Sequence, residues 1–369
     1  MSGPFDVVTL ALKPTCVNRR MVQSLVEHLV PKPRTIHVIA VQCTGFERFH
    51  PSVRCHADDK LVPGLTASSV GRWLEERLGA VRWEALDRAM ALRRSSWYFQ
   101  QLVKLAAAEH IQPPLTEHFL IWDSDMIMLR PMTWFVPPET PSGSATGAHT
   151  PAAAPAVHLP AGPVPQPSGV DSSQGCVNPL PFRTVIHVGG WHSDGYRRTY
   201  QSLTGHAPRF GPAQSSFVAH HMLVHRPFLS AFLRDITAPQ HRNDTRLGWA
   251  HSILDAAASL QDVQQYMVGF SEYWSYLSWV LEHHPCAVAL TARQEWDRVT
   301  VPTQLPVGVR HQDGASTQFL GVCCPTADSL RVFADRGVLF AGYEIGHRAY
   351  CNYAHPAFKD GYAQWFMDV

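Results

Sequence analysis

The sequence lacks several features that would assign a protein to a particular class. Lys and Arg number 31 against 30 Asp and Glu, so the formal net charge is only +1 and no excess of positive charge supports nucleic-acid binding. No apolar run approaches the roughly 18 residues that a membrane span needs. The first residues lack the charged region and long apolar core of a signal peptide. We therefore expect a cytoplasmic protein with no nucleic-acid partner and no membrane span.

The eight cysteines follow no recognisable pattern. There is no CxxC pair, and no Cys/His spacing matches a zinc site. Cysteines of cytoplasmic proteins are normally reduced. We therefore predict reduced, structural cysteines.

The chain has 369 residues, and we predict one domain spanning 1–369. Residues 137–170 are rich in Pro, Ala, Gly and Ser and contain no aromatic residue. Such a composition buries too little surface to offset the entropy lost on ordering. We predict that this stretch is a disordered insertion within the domain, with a lid over a binding site as the alternative.

Strand and helix patterns alternate in the first third of the chain. The predicted order is a strand at 5–12, a helix at 16–30, a strand at 35–43, helices at 66–79 and 95–111, and a strand ending at Trp122. Strands separated by helices form parallel sheets that are covered on both faces. The pattern thus predicts an α/β fold with a mostly parallel central sheet flanked by helices on both faces.

Two aspartates interrupt the apolar stretch HFLIWDSDMIMLRPM at 118–132. In an extended chain Asp123 and Asp125 point to the same side, where their charges repel unless a cation lies between them. Ligands of open α/β sheets bind outside the carboxyl ends of the strands. Carboxylates there, together with a diphosphate, suit Mg²⁺ or Mn²⁺. The alternative is a pair that caps a turn or meets Arg130.

The helix before this strand carries a polar stripe. Trp97, Gln101 and Lys104 share one face at spacings i, i+4 and i+7. An indole, an amide and an ammonium together can hold a nucleotide through packing, hydrogen bonds and phosphate charge. The alternative is a solvated helix face.

Three further side chains are candidates for ligand contact. Glu272 follows Ser271 at the start of a helix, where it could act as a base, accept a bond from a substrate hydroxyl, or merely stabilise the first turn. His220 and His221 lie near a strand end. Each histidine could contact a ligand or be a hydrogen-bonded structural residue.

Four segments in order resemble a known group: WYFQQLVKL, FLIWDSDMIMLRPM, SSFVAHHMLVHR and FSEYWSYLSWVL. They resemble a little-characterised glycosyltransferase-like family, a domain of unknown function in the GT-A superfamily of nucleotide-diphospho-sugar transferases. The resemblance covers about residues 5 to 285, with 137–170 as a departure. It implies a GT-A-like fold, a nucleotide-sugar donor and an unknown acceptor.

The resemblance also implies roles for individual residues. Asp125 would bind Mn²⁺ or Mg²⁺ directly, and Asp123 would touch the donor ribose, or the metal through water. Glu272 would lie at the acceptor side as the catalytic residue, and His347 is a candidate third metal ligand. The residues expected to contact substrate are Trp97, Gln100, Gln101, Lys104, His220 and His221.

Two other classes of function stay open. A phosphatase of the haloacid-dehalogenase type also places two aspartates at a strand end, with Asp123 as nucleophile and Asp125 as general acid. That motif usually lies on the first strand, whereas more than a hundred residues precede Asp123 here. A member of the fold that binds a sugar nucleotide without turnover is the other alternative.

Overall fold

A computed structural model describes residues 3–85, 88–138, 178–188, 193–208, 216–260, 268–293, 296–298, 325 and 327–343. His347 and all but the first two residues of the predicted insertion at 137–170 lie outside these residues. The insertion and the single domain over 1–369 therefore stay predictions.

The strands predicted at 5–12, at 35–43 and up to Trp122 are present, and a further strand at Val53–Ala57 was not predicted. The strands are β1 (Asp6–Ala11), β2 (Ile36–Ala40), β3 (Val53–Ala57), β4 (His118–Trp122), β5 (Met126–Met128), β6 (Phe135–Val136), β7 (Arg183–Val188), β8 (His221–His225), β9 (Val288–Arg293), β10 (Trp296–Arg298) and β11 (Phe340–Gly342).

The helices follow the same alternation. They are α1 (Cys16–His28), α2 (Asp58–Leu61), α3 (Ala67–Ala85), α4 (Arg88–His110), α5 (Asp194–Thr204), α6 (Arg226–Asp235), α7 (Gly248–Ala258), α8 (Glu272–His283) and α9 (Ala327–Asp335). Gly79 interrupts α3 with a left-handed backbone at φ 73°. The predicted end of the helix at Gly79 thus corresponds to a break after which helical structure resumes.

The central sheet is mostly parallel. Its order is β3-β2-β1-β4-β8; β1 is parallel to β2 and β4, β2 is parallel to β3, and β8 runs antiparallel to β4. Two smaller sheets of the described residues have the orders β10-β11-β5 and β6-β7-β9. The predicted α/β fold with a mostly parallel central sheet is confirmed.

Both faces of the central sheet are covered. Val8 and Ile121 belong to one buried core, which also contains residues of α4 and α8. Val7 and Leu120 point the other way, into a core shared with α1. This alternation follows from the period of two along a strand. It confirms the prediction of helices on both faces.

The prediction of reduced cysteines is wrong. Cys43 and Cys55 form a disulfide, and Cys16 and Cys286 are also disulfide-bonded, so no cysteine of the described residues is free. The β2–β3 pairing sets Cys55 beside Val38, which brings its Cα within 5.5 Å of that of Cys43. Disulfides persist mainly in oxidising compartments. The bond therefore counts against the cytoplasmic location, which stays an untested prediction.

Membrane spanning has no support in the helices. Within the part of the chain that the structure describes, no helix combines the length and the apolar character that a bilayer crossing requires.

Candidate active site at the carboxyl edge of the central sheet

The two aspartates lie in the tight connection between β4 and β5. Because β1, β2 and β4 are parallel, their carboxyl ends meet at one edge of the sheet, and Asp123 follows β4 there. The backbone N–H of Asp123 donates to the carbonyl of His220 at 2.9 Å, and that of Met126 donates to the Asp123 carbonyl at 3.1 Å. The chain thus turns sharply and leaves Asp123 and Asp125 half-buried.

Two distant elements fix the rest of this turn. The Asn18 amide, in the first turn of α1, donates to the Ser124 carbonyl at 2.9 Å. The backbone N–H of Tyr343, just after β11, donates to the Asp125 carbonyl at 2.7 Å. Thr15 caps α1 by accepting from the Asn18 N–H at 3.1 Å. The backbone of the Asp123–Asp125 loop is therefore held from several sides.

The Lys104 ammonium lies at the centre of the site. It donates to Asp123 Oδ1 and to Glu272 Oε1, each at 2.7 Å, and to the Tyr273 hydroxyl at 3.0 Å. It also lies 4.5 Å from the centroid of the Tyr273 ring. The polar stripe on α4 thus faces the interior at Lys104, and the solvated-face alternative does not hold for this residue.

The Asp123 carboxylate receives hydrogen bonds on both oxygens. Oδ1 accepts from Lys104 and, at 2.5 Å, from the Tyr273 hydroxyl. Oδ2 accepts from His220 Nδ1 at 3.1 Å, so Nδ1 carries the proton of that ring. His220 has a left-handed backbone, with φ 62°, which is uncommon for a residue other than glycine. Backbone strain of this kind is concentrated at functional sites.

Charges in the site shift one another's pKa values. Burial by itself raises the pKa of Asp123, but the Lys104 charge and the His220 hydrogen bond lower it further than burial raises it. Burial lowers the pKa of Lys104, and the carboxylates of Asp123 and Glu272 more than compensate, so the net shift is upward. Burial raises the pKa of Glu272 against the opposing effect of Lys104. Lys104 therefore stays an ammonium between the two acids.

The Tyr273 hydroxyl stays protonated. Burial and the charges of Asp123 and Glu272 raise the pKa of Tyr273 well above its usual value, and the charge of Asp125 raises it further.

Glu272 is buried at the start of α8. Its side chain has no exposed surface, and Ser271 caps the helix that it begins. Its backbone N–H donates to Gln101 Oε1 at 3.4 Å, so Gln101 and Lys104 both hold the start of α8 against α4. Among the described residues Glu272 Oε2 has no hydrogen-bond partner. The catalytic role of Glu272 stays a prediction.

The remaining residues predicted to bind substrate are spread around the site. Gln100 is exposed, whereas Gln101 is buried. Trp97 is partly buried against the core, with the Arg94 guanidinium 5.8 Å from its ring centroid. Substrate contact by these residues stays a prediction.

His221 lies in the protein interior. Its ring stacks on Trp122 at 5.2 Å, and its Nε2 lies 2.9 Å from His187 Nδ1. His187 Nε2 donates to the Thr133 carbonyl at 3.1 Å, so His187 Nδ1 accepts from His221. Among the described residues no hydrogen bond joins His221 to the network around Asp123, and its substrate contact stays a prediction.

The buried imidazole of His187 predicts a loss of stability in mild acid. Burial lowers the pKa of His187 from its usual 6.5 to about 3. Its stabilising effect is complete above the unfolded pKa and is lost as the pH falls through 6.5 toward the folded value. Between pH 6.5 and about pH 5 we expect this group alone to lower the free energy of unfolding by about 1.5 kcal/mol. Urea unfolding at both pH values measures the loss.

The matched variant for this measurement is His187→Gln, whose amide can still donate to the Thr133 carbonyl. It should lose less stability over the same pH interval because it has one titrating group fewer. Equal losses in the variant and the wild type would show that other groups cause the acid sensitivity.

The donor set suits a hard divalent cation that a ligand completes. No three His, Cys, Asp or Glu side chains of the described residues are grouped closely enough to hold a metal by themselves. Mg²⁺, however, is commonly held by one or two carboxylates, with phosphate oxygens and water supplying the other positions. Asp123 and Asp125 fit that arrangement.

Sequence reasoning missed Tyr273 and Asn18 as members of the site. Tyr273 follows Glu272 directly, but a helical residue one position away usually faces elsewhere. At the start of α8 both side chains nevertheless reach Lys104. Asn18 could not have been found from its neighbours in sequence, because its partner Ser124 lies 106 residues away.

Part of the chain matches a family model. Residues 23–135 match a family of unknown function (DUF6492). The matched segment includes Trp97, Gln101, Lys104 and both aspartates but not Glu272. No protein of curated function matches the chain.

Solved structures show weak similarity, each at 11% sequence identity. Galactosyltransferase LgtC in complex with donor and acceptor sugar analogues has a TM-score of 0.33, covering 92% of this chain and 86% of that one. An active-site mutant of LgtC has a TM-score of 0.36, covering 96% and 94%. Mouse xyloside xylosyltransferase 1 in its apo form has a TM-score of 0.35, covering 81% and 89%.

Likenesses at these TM-scores are too weak to support an argument about function. The firmer comparison is the family match, which confirms the predicted resemblance to a domain of unknown function. The segment that builds α4, β4 and the aspartate loop is similar to DUF6492, a family whose function is unknown.

Proposed function

We propose that the protein transfers a sugar from a nucleoside-diphosphate donor to an acceptor with the help of Mn²⁺ or Mg²⁺. The observation that carries this proposal is the position of Asp123 and Asp125, which project from a fixed loop at the carboxyl edge of the central sheet, half-exposed beside a buried ammonium. Open α/β sheets bind ligands at this edge. The Lys104 ammonium pairs with Asp123, and a divalent cation bound there would also neutralise the charge of Asp125.

In this proposal Asp125 binds the metal directly, because both oxygens of Asp123 already accept hydrogen bonds from protein groups. Asp123 contacts the donor ribose, or the metal through water. His347 is a further candidate metal ligand. When bound, a divalent cation neutralises the charge that develops on the leaving diphosphate.

Other side chains support the donor. Trp97 offers a ring for packing, Gln100 and Gln101 offer amides, and His220 offers an imidazole that bonds to Asp123. His221 lies in the interior, so its effect on the donor would be indirect.

A thermal-shift screen of nucleoside diphosphates, with and without Mn²⁺, tests the proposal. A ligand at 100 times its Kd stabilises the folded protein by about 2.7 kcal/mol. We expect at least one nucleoside diphosphate to raise the melting temperature, and only with Mn²⁺ present.

The other outcomes separate the alternatives. Turnover of a simple phosphate ester without any nucleotide would favour the phosphatase. Donor binding with neither hydrolysis nor transfer would favour a non-enzymatic member. No stabilisation by any nucleoside diphosphate would overturn the proposed function.

A further inference from the structure

Lys104 has no hydrogen bond left for a substrate. An ammonium has three N–H groups, and those of Lys104 point to Asp123, Glu272 and Tyr273 at 2.7, 2.7 and 3.0 Å. Its side chain is only 6% exposed. The positive charge that would bind a phosphate is therefore already paired with acceptors of the protein itself.

Tyr273 completes a closed ring of contacts. Its hydroxyl accepts from Lys104 and donates its single proton to Asp123 Oδ1 at 2.5 Å. Lys104 and Tyr273 therefore approach the same carboxylate oxygen from two directions. A carboxylate held by two donors on one oxygen and a third donor on the other has little freedom to rotate.

Glu272 is the second carboxylate that accepts a hydrogen bond from Lys104. Its carboxylate is completely buried and contacts the ammonium, while its backbone is held by Gln101. Without the Glu272 charge the ammonium would interact more strongly with Asp123 alone. Glu272 therefore controls where the positive charge of Lys104 lies relative to the aspartates.

We propose that Glu272 and Tyr273 are positioning residues that fix the orientation of Asp123, Glu272 through Lys104 and Tyr273 through its own hydrogen bond, and that the Glu272 carboxylate does not touch the acceptor. This inference rests on the proposed function, because it assigns the three residues to the donor side of that site. It differs from the role of a base, which requires contact with an acceptor hydroxyl.

The test measures the affinity for a nucleoside diphosphate with Mn²⁺ by calorimetry, using the diphosphate that stabilises the wild type best. The variants are Tyr273→Phe and Glu272→Gln. Tyr276→Phe is the matched control, since Tyr276 is a buried tyrosine on the same helix whose hydroxyl bonds, among the described residues, to the His225 backbone. We expect both test variants to raise Kd about tenfold and the control to stay within about twofold.

The transfer reaction provides the second readout. Positioning predicts that Glu272→Gln raises KM for the donor together with its Kd. A base would instead leave Kd unchanged and lower kcat by roughly 10²-fold or more. That second pattern would overturn the inference and return Glu272 to the catalytic role.

Different binding results would overturn the inference and the proposed function. A wild type that binds nucleoside diphosphate, with both test variants binding as tightly, would overturn the inference alone. A wild type that binds no nucleoside diphosphate would overturn the proposed function and the inference with it.

Discussion

Asp125→Asn is expected to abolish the Mn²⁺-dependent binding of a nucleoside diphosphate. The substitution keeps the size and shape of the side chain but replaces a charged metal ligand by a weak neutral one. Both Asp123 oxygens accept bonds from Lys104, Tyr273 and His220, so Asp123 cannot readily take over direct coordination. Calorimetric titration with and without Mn²⁺ would show the loss as the disappearance of the metal-dependent heat.

The same variant should fold as stably as the wild type when no metal is present. Removing one of the two negative charges relieves the repulsion between them. Asp59→Asn serves as the control, because it removes an exposed negative charge that is far from Asp125 in the sequence. If Asp125→Asn unfolds while the wild type binds no metal, the two aspartates have a structural role and the metal site does not exist.

Lys104→Met is expected to destabilise the folded protein by about 3–5 kcal/mol. Methionine fills a similar volume, but it leaves the buried Glu272 carboxylate and the Asp123 carboxylate without their shared cation. Removing one partner of a buried ion pair leaves an uncompensated charge, and this costs far more than the pair itself contributes. Urea unfolding at neutral pH measures the change in the free energy of unfolding.

Two further variants isolate the cause. Lys60→Met removes an exposed lysine and should change stability by no more than about 0.5 kcal/mol. The double variant Lys104→Met, Glu272→Gln should recover part of the loss, because it removes the most deeply buried unpaired charge. A loss below about 1 kcal/mol for Lys104→Met would mean that water reaches the two acids and the ion pairs are not truly buried.

Local patterns were sufficient for the fold but not for the orientation of polar side chains. Apolar spacing predicted β1, β2, β4 and the helices between them, and thereby the mostly parallel sheet, but it missed β3 and α2. The same spacing correctly grouped Gln101 with Lys104 on one face of α4. It could not reveal that this face is buried, because the elements that cover it begin at Glu272, 168 residues after Lys104.

The disulfide and the direction of the His221 side chain also could not be predicted from local sequence patterns. Cys43 and Cys55 meet because of the pairing register between β2 and β3, which no cysteine spacing encodes. His220 and His221 are adjacent in sequence, yet the His220 ring bonds to Asp123 and the His221 ring bonds to His187. The left-handed backbone of His220 separates their directions at the start of β8.

The ties on the aspartate loop bear on the thermodynamics of ligand binding. The His220 carbonyl, the Asn18 amide and the Tyr343 N–H each hold one residue of the loop before any ligand arrives. A ligand that meets such a preorganised loop does not have to offset the entropy of ordering it, which is on the order of 1–2 kcal/mol for each backbone residue. Association at the loop should therefore proceed with a small heat-capacity change, unlike binding that is coupled to folding.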